Sequence, residues 1–178
     1  MFKMAILGAG AIAHKMSNTI SQMDNVEPYI IADVNIEKAK EVGEKYGYTK
    51  ICGSVDDILA DDQVDLVYIA LPHSLHYKFT KMCLEGGKNV LCEKSFTVSA
   101  SQAKEILSLA EEKKLLLQEA IWTRYMPSRK IIDDIIASGV IGEVTSLTAN
   151  LGYELSAVPR IWDVNSAGGA LLDCGVYL

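Results

Sequence analysis

The sequence has no long basic run, no closely spaced pair of cysteines and no apolar stretch of membrane length. With 17 Lys and Arg against 23 Asp and Glu, the formal net charge is −6. A nucleic-acid or anionic-membrane surface needs a basic footprint, so this balance argues against both partners. It leaves room for a single bound dinucleotide, whose phosphates can be held by backbone N–H groups. Cys52, Cys83, Cys92 and Cys174 form no CxxC or other metal-ligand spacing, so no metal site is expected. Three of them lie in apolar stretches, where free cysteine acts as a small hydrophobe, and a reducing cytoplasm is the simplest compartment. No segment approaches the roughly 18 consecutive apolar residues of a membrane helix. Met1 to Ala13 crudely mimics a signal peptide, but Gly8 and Gly10 interrupt its apolar run and have a better use below.

What is present is a core. Hydrophobic residues make up 49% of the 178-residue chain and charged residues 22%, enough for one domain or for one domain and part of a second. Short β-rich runs alternate with longer helical ones, the pattern of parallel strands joined by crossover helices. Strands are predicted at Met4–Leu7, Val26–Ala32, Asp65–Leu71, Asn89–Cys92 and Leu115–Ala120. The alternation as a whole reads as the six strands of a complete dinucleotide-binding sheet. Helices are predicted at Ala11–Met23, Ile36–Tyr46 (stopped by Gly47), from Ser54 to about Ala60, at Leu75–Glu85, and from the capping box Ser99-x-x-Gln102 to about Lys113. The fold class is α/β, with a doubly wound Rossmann sheet over residues 1–120.

Beyond residue 120 the texture changes. Pro127 and the Ile131-Ile132/Ile135-Ile136 spacing describe an amphipathic helix ending at Gly139. Val144–Tyr153 alternates as a half-exposed strand does, Pro159–Ala167 reads as loop, and Gly168-Gly169-Ala170 opens another helical segment. One strand and an unfinished helix cannot bury their own apolar faces. Residues 121–178 are therefore expected to be the incomplete start of a second domain.

Four places carry candidate chemistry. Gly8-Ala9-Gly10-Ala11-Ile12-Ala13 is a GxGxxA fingerprint between a predicted strand and a predicted helix. Gly8 would allow the tight turn, and Gly10 the close approach of backbone to a pyrophosphate. The N–H groups at Ala11 and Ile12 would face that diphosphate at the positive end of the helix dipole. Asp33 lies 20 residues after Ala13, where an acid accepts hydrogen bonds from the adenosine ribose 2′-hydroxyl. No arginine follows it, which favours NAD and leaves NADP as the alternative.

Leu71, Pro72, His73 and His76 follow a central strand at the edge where ligands bind in open α/β sheets. For each histidine, cofactor contact competes evenly with ordinary polarity at a helix start. Glu93 and Lys94 end the next strand. Lys94 either assists proton movement during hydride transfer or is an exposed lysine paired with Glu93. Asp173 and Tyr177 stand at i and i+4, which on a helix would be one face: an acid–base pair, or an ordinary polar stripe.

Taken in order, GAGAIA, ALPHSLHYKF, Glu93-Lys94, the Glu119–Pro127 segment EAIWTRYMP and GGALLDCGVY resemble the Gfo/Idh/MocA oxidoreductase family along the whole chain. The segment EAIWTRYMP with Tyr177 looks most like its branch of dimeric dihydrodiol dehydrogenases and sugar dehydrogenases. The resemblance implies a Rossmann domain followed by an α+β substrate and dimerisation domain. It implies Lys94 as catalytic lysine, Tyr177 as acid–base residue, Asp173 as supporting carboxylate and Trp122 as a lining of the substrate pocket. The implied reaction is hydride transfer between NAD(P) and a carbinol carbon of a sugar, cyclitol, other polyol or diol, in a homodimer when full length. Three departures stand out: Ser95 where proline usually follows Glu-Lys, His73 where asparagine is common, and no basic residue in Asp33-Val34-Asn35. The competing reading is a non-catalytic dinucleotide-binding module or truncated pseudoenzyme.

Overall fold

A computed structural model of the chain describes residues 1–177. Six parallel strands form one sheet: β1 (Phe2–Leu7), β2 (Val26–Ala32), β3 (Lys50–Cys52), β4 (Leu66–Ile69), β5 (Asn89–Cys92) and β6 (Leu117–Glu119). Their order is β3-β2-β1-β4-β5-β6. That is the doubly wound order, in which the connections reverse direction between β1 and β4 and open a crevice at the carboxyl edge.

The strands alternate their apolar side chains between two faces. Ala5, Leu7, Val67, Ile69 and Val90 pack on one side with Cys83, Leu84, Ile106 and Ala110 from helices α4 (His73–Glu85) and α5 (Ala100–Lys113). Met4, Ile6, Ile31 and Tyr68 pack on the other with Ala13 and Ile20 of α1 (Ala11–Ile20) and Ala39 and Val42 of α2 (Ile36–Tyr46). A sheet covered on both faces explains the nearly unbroken apolar runs of β2 and β4. Between β3 and β4 lies the short α3 (Val55–Leu59), capped by the Ser54 hydroxyl, which accepts from the Asp56 N–H. Ser99 caps α5 by accepting from the Gln102 N–H, while the Gln102 amide oxygen reaches back to the N–H of Val98.

Several boundaries differ from the sequence reading. β4 is shorter than Asp65–Leu71, α1 stops at Ile20, and α4 begins at His73 because Pro72 serves as its N-cap. β3 has only three residues, too few to show alternation, and went unassigned.

The segment after β6 departs further. Trp122–Tyr125 is a 3₁₀ turn, followed by α6 (Pro127–Ala137) as expected. The isoleucine face of α6 is exposed, Ile131 by 59% and Ile135 by 44%. The expected strand Val144–Tyr153 is not formed: the described residues there have no hydrogen-bonded neighbour, and Leu147 is exposed. Alternation alone cannot make a strand without a partner. Pro159–Ala167 is not plain loop. It contains α7 (Pro159–Trp162), with proline at its first turn, and a 3₁₀ turn at Val164–Ser166. The last helix, α8, covers just Ala170–Asp173 and is followed by a 3₁₀ turn at Gly175–Tyr177. Asp173 and Tyr177 therefore do not share a continuous helical face. Among the described residues no helix is long and apolar enough to cross a membrane.

Candidate active site

The carboxyl ends of β1, β4, β5 and β6 meet the segment 153–177 around a cavity of about 580 Å³. Its walls include Gly10, Ala11, Ile12, Leu71, Pro72, His73, Glu93, Lys94, Trp122, Asp173 and Tyr177, all singled out in the sequence. Lys15, Ala70, Tyr153 and Arg160 also line it and were not foreseen. Gly8, Asp33 and His76 stand outside the lining.

The glycine loop fits a dinucleotide. Gly8 has φ +103, and a Cβ there would overlap the carbonyl oxygen of Ala70 and lie 2.9 Å from its carbonyl carbon. β1 and β4 approach each other that closely only because Gly8 has no side chain. Gly10 caps α1 without a side-chain hydrogen bond, the first turn carries no acid, and a Cβ at Gly10 would meet nothing within 4 Å. The orphan N–H groups of that turn are thus open to an anion that comes close to the backbone. Asp33 binds this loop from behind. One carboxylate oxygen accepts from the Ala9 N–H and the other from the Asn35 N–H, each at 2.8 Å. Each oxygen retains a lone pair that a ribose hydroxyl could use.

Lys94 is only 17% exposed and points across the cavity. Its Nζ donates to the backbone oxygen of Asp173 at 2.7 Å and to its carboxylate Oδ1 at 3.4 Å. Glu93 is not its side-chain partner. Glu93 accepts from the Tyr68 hydroxyl and from the Lys94 backbone N–H at 3.1 Å. Burial pushes the Glu93 carboxyl above its ordinary pKa, opposed by these donors and by the Lys94 charge. The exposed Lys94–Glu93 pair is thus absent.

Asp173 is where three cationic or potentially cationic groups converge. Its Oδ1 lies 2.9 Å from Arg160 Nη2, 3.4 Å from Lys94 Nζ and 3.8 Å from His73 Nε2. Burial opposes its ionisation, but the Arg160 hydrogen bond and the charges of Lys94 and Arg160 hold its carboxyl below the ordinary value. Asp173 makes no side-chain hydrogen bond with Tyr177 among the described residues. The phenol oxygen of Tyr177 instead accepts from the indole N–H of Trp122 at 3.0 Å, and Lys94 Nζ sits 5.1 Å from the phenol ring centre. Burial raises the Tyr177 pKa, and the Trp122 donor offsets part of that rise.

The two histidines take different positions. His73 lines the cavity, its Nδ1 3.2 Å from the Ala167 carbonyl, and burial lowers its pKa. His76 is fully buried behind the cavity, between the carbonyl oxygens of Leu71 (2.8 Å) and Ser95 (2.6 Å). It bridges the loops after β4 and β5 rather than facing the crevice. Ser95 continues the link, its hydroxyl donating to the Leu172 carbonyl. Arg160 and Tyr153 escaped sequence reading because no local motif marks them. Among the described residues no cluster of His, Cys, Asp or Glu could hold a metal ion.

Comparison with known proteins bears on this geometry. The sequence model of the Gfo/Idh/MocA oxidoreductases, described as an oxidoreductase family with an NAD-binding Rossmann fold, matches residues 2–121. The chain is 34% identical over 174 residues to trans-1,2-dihydrobenzene-1,2-diol dehydrogenase of Mus musculus, covering 97% of this chain and 52% of that protein. It is 38% identical over 197 aligned positions to D-xylose 1-dehydrogenase (NADP(+)) of Hypocrea jecorina, covering 98% and 50%. The chain thus spans about half the length of these relatives. Its structure is similar to that of the 3-ketoreductase KijD10 of Actinomadura kijaniata in complex with NADP and TDP-benzene, at TM-score 0.89 and 30% identity. That match covers 99% of this chain and 55% of that one.

Proposed function

The chain belongs to the Gfo/Idh/MocA oxidoreductase family, and from that premise we propose that the protein is an NAD(P)-dependent dehydrogenase of a diol, sugar or other polyol. One observation carries the proposal: Lys94 and Tyr177 line one cavity, with Lys94 Nζ 5.1 Å from the phenol ring centre, beside the start of α1, which has no side-chain cap. When bound, the nicotinamide supplies the hydride acceptor or donor. The glycine loop and the first turn of α1 would hold the diphosphate, and Asp33 the adenosine ribose. Leu71, Pro72 and Glu93 line the adjoining wall, where they would exclude water.

The proton of the carbinol oxygen must leave as the hydride leaves its carbon. Tyr177 would take that proton in oxidation and return it in reduction, while Lys94 keeps a positive charge beside the phenol and the substrate oxygen. Asp173 would fix the Lys94 amine. The named substrates of the mouse and Hypocrea relatives, a dihydrobenzene diol and D-xylose, support vicinal hydroxyl groups as the substrate class. We read Asp33 as favouring NAD, since a 2′-phosphate would meet its carboxylate. Residues 1–120 are read as the cofactor domain and 121–178 as the start of a substrate and dimerisation domain of a cytoplasmic homodimer. The exposed isoleucine face of α6 and the free cysteines support that reading.

The test is a Lys94→Ala variant of the native protein, assayed for NAD reduction with diols and pentoses and for NAD binding. Turnover should fall by about 10²-fold or more, the usual scale for a proton-transfer group, with NAD affinity nearly unchanged. NAD binding by the wild type without turnover on any polyol would favour the non-catalytic module. Equal losses of turnover and NAD binding would remove Lys94 from the chemistry.

A further inference from the structure

The contact between Trp122 and Tyr177 has a direction. An indole N–H can only donate, so the Tyr177 oxygen is necessarily the acceptor in the 3.0 Å bond. The phenol's own hydrogen must then point elsewhere. Among the described residues it meets no acceptor, and Tyr177 lines the cavity with Lys94. The two rings lie 5.8 Å apart at 58°, so the indole also limits where the phenol can swing. Trp122 itself is held from below: Ile121 is buried, and the Trp122 backbone N–H donates to the Ala120 carbonyl at the end of β6.

We propose that Trp122 is a positioning residue that fixes the hydrogen-bond polarity of Tyr177, so that the phenol presents its hydrogen to the substrate oxygen. The inference rests on the dehydrogenase reading above. In the reducing direction, hydride from the reduced nicotinamide adds to the carbonyl carbon and the carbon–oxygen π pair moves onto oxygen. That oxygen takes the Tyr177 proton, breaking the phenol O–H bond and forming the alcohol O–H. The phenolate left behind keeps the Trp122 N–H as donor and the Lys94 ammonium as neighbour. Oxidation runs the same steps backwards. Trp122 thus acts twice, aiming the proton before transfer and stabilising the charge after it.

The experiment is Trp122→Phe, which keeps an aromatic ring and removes the donor, with Trp122→His as a second variant that restores an N–H. Tyrosine labelled with ¹³C at Cζ reports phenol titration by NMR, and Tyr177→Phe identifies the Tyr177 signal. Loss of one hydrogen bond to the phenolate should raise the Tyr177 titration by about one pH unit in Trp122→Phe. The corresponding limb of the pH–rate profile should move up by the same amount, with the KM for NAD unchanged. Trp122→His should return both towards wild type. An unmoved titration and an unmoved limb in Trp122→Phe would overturn the proposal, as would a change confined to the substrate KM. Failure of every form to turn over a polyol would count against the dehydrogenase reading instead, while the NMR titration would still decide the role of Trp122.

Discussion

Alanine at Gly8 and alanine at Gly10 are one methyl each, two residues apart, and should fail for different reasons. At Gly8 the backbone has φ +103, a region that L residues rarely enter, which costs about 1–3 kcal/mol. The methyl would also overlap the Ala70 carbonyl and come within 3.1 Å of Leu71 Cδ2. The carbonyl cannot swing aside freely, because the Ala70 N–H is bonded to the Leu7 oxygen at 2.8 Å and the Gly8 N–H to Ala32 at 2.7 Å. Overpacking adds roughly 1–3 kcal/mol, so Gly8→Ala should lose about 2–6 kcal/mol of stability. That is a large share of the roughly 5–15 kcal/mol available to a domain. At Gly10 a methyl meets nothing within 4 Å of protein, so the fold should barely register it. It would stand where a diphosphate approaches the α1 N–H groups. Losing one charge-assisted hydrogen bond costs about 1.5–3 kcal/mol, or roughly 10–100-fold in NAD affinity. Urea unfolding and calorimetric NAD titration separate the two effects. A Gly8→Ala protein with the wild-type midpoint would refute the steric reasoning. A Gly10→Ala protein that binds NAD normally would refute the placement of the diphosphate.

Asp33→Asn removes a negative charge while keeping the shape of the side chain. NAD affinity should fall about tenfold, and the preference for NAD over NADP should narrow by a similar factor, read by parallel titrations. An unchanged ratio would remove Asp33 from cofactor choice. Asp173 makes an acid-sensitive tie. Its native pKa lies below the ordinary 3.8, so its ion pairs stabilise the docked segment fully above that value and are lost as pH falls through the lowered native value. Protection factors of the amides of residues 167–177, taken against the intrinsic exchange rate at each pH, should therefore fall on acidification in the wild type more than in Asp173→Asn. An equal loss of protection in both would show that the segment does not depend on this carboxylate.

How much of this could be read from the sequence depends on how far apart in the chain the interacting groups lie. The glycine loop, its flanking strand and helix, and Asp33 sit within one βαβ unit, so a local fingerprint was enough to place them. β3 escaped because three residues cannot display a period. Val144–Tyr153 was misread for the opposite reason: its alternation is real, but a strand is a property of two chain segments and nothing described here pairs with it. The Asp173–Tyr177 pair failed on a finer point. The spacing presumed one helix, and the chain changes from α to 3₁₀ after Asp173. The phenol is therefore served by Trp122, 55 residues away, and the carboxylate by Arg160, Lys94 and His73. Those partnerships tie two parts of the chain together at the site itself. The start of α4 and the loop after β5 grip the segment carrying Asp173 through three separate bonds: His73 to Ala167, Ser95 to Leu172 and Lys94 to Asp173. Two of these end on backbone carbonyls whatever the side chain there, and the third reaches both backbone and carboxylate of Asp173. Sequence patterns at positions 167 and 172 would not disclose them. The residues at the strand ends that would face a cofactor thus also hold the segment that carries Tyr177, so under the dehydrogenase reading a change at one should be felt at the other.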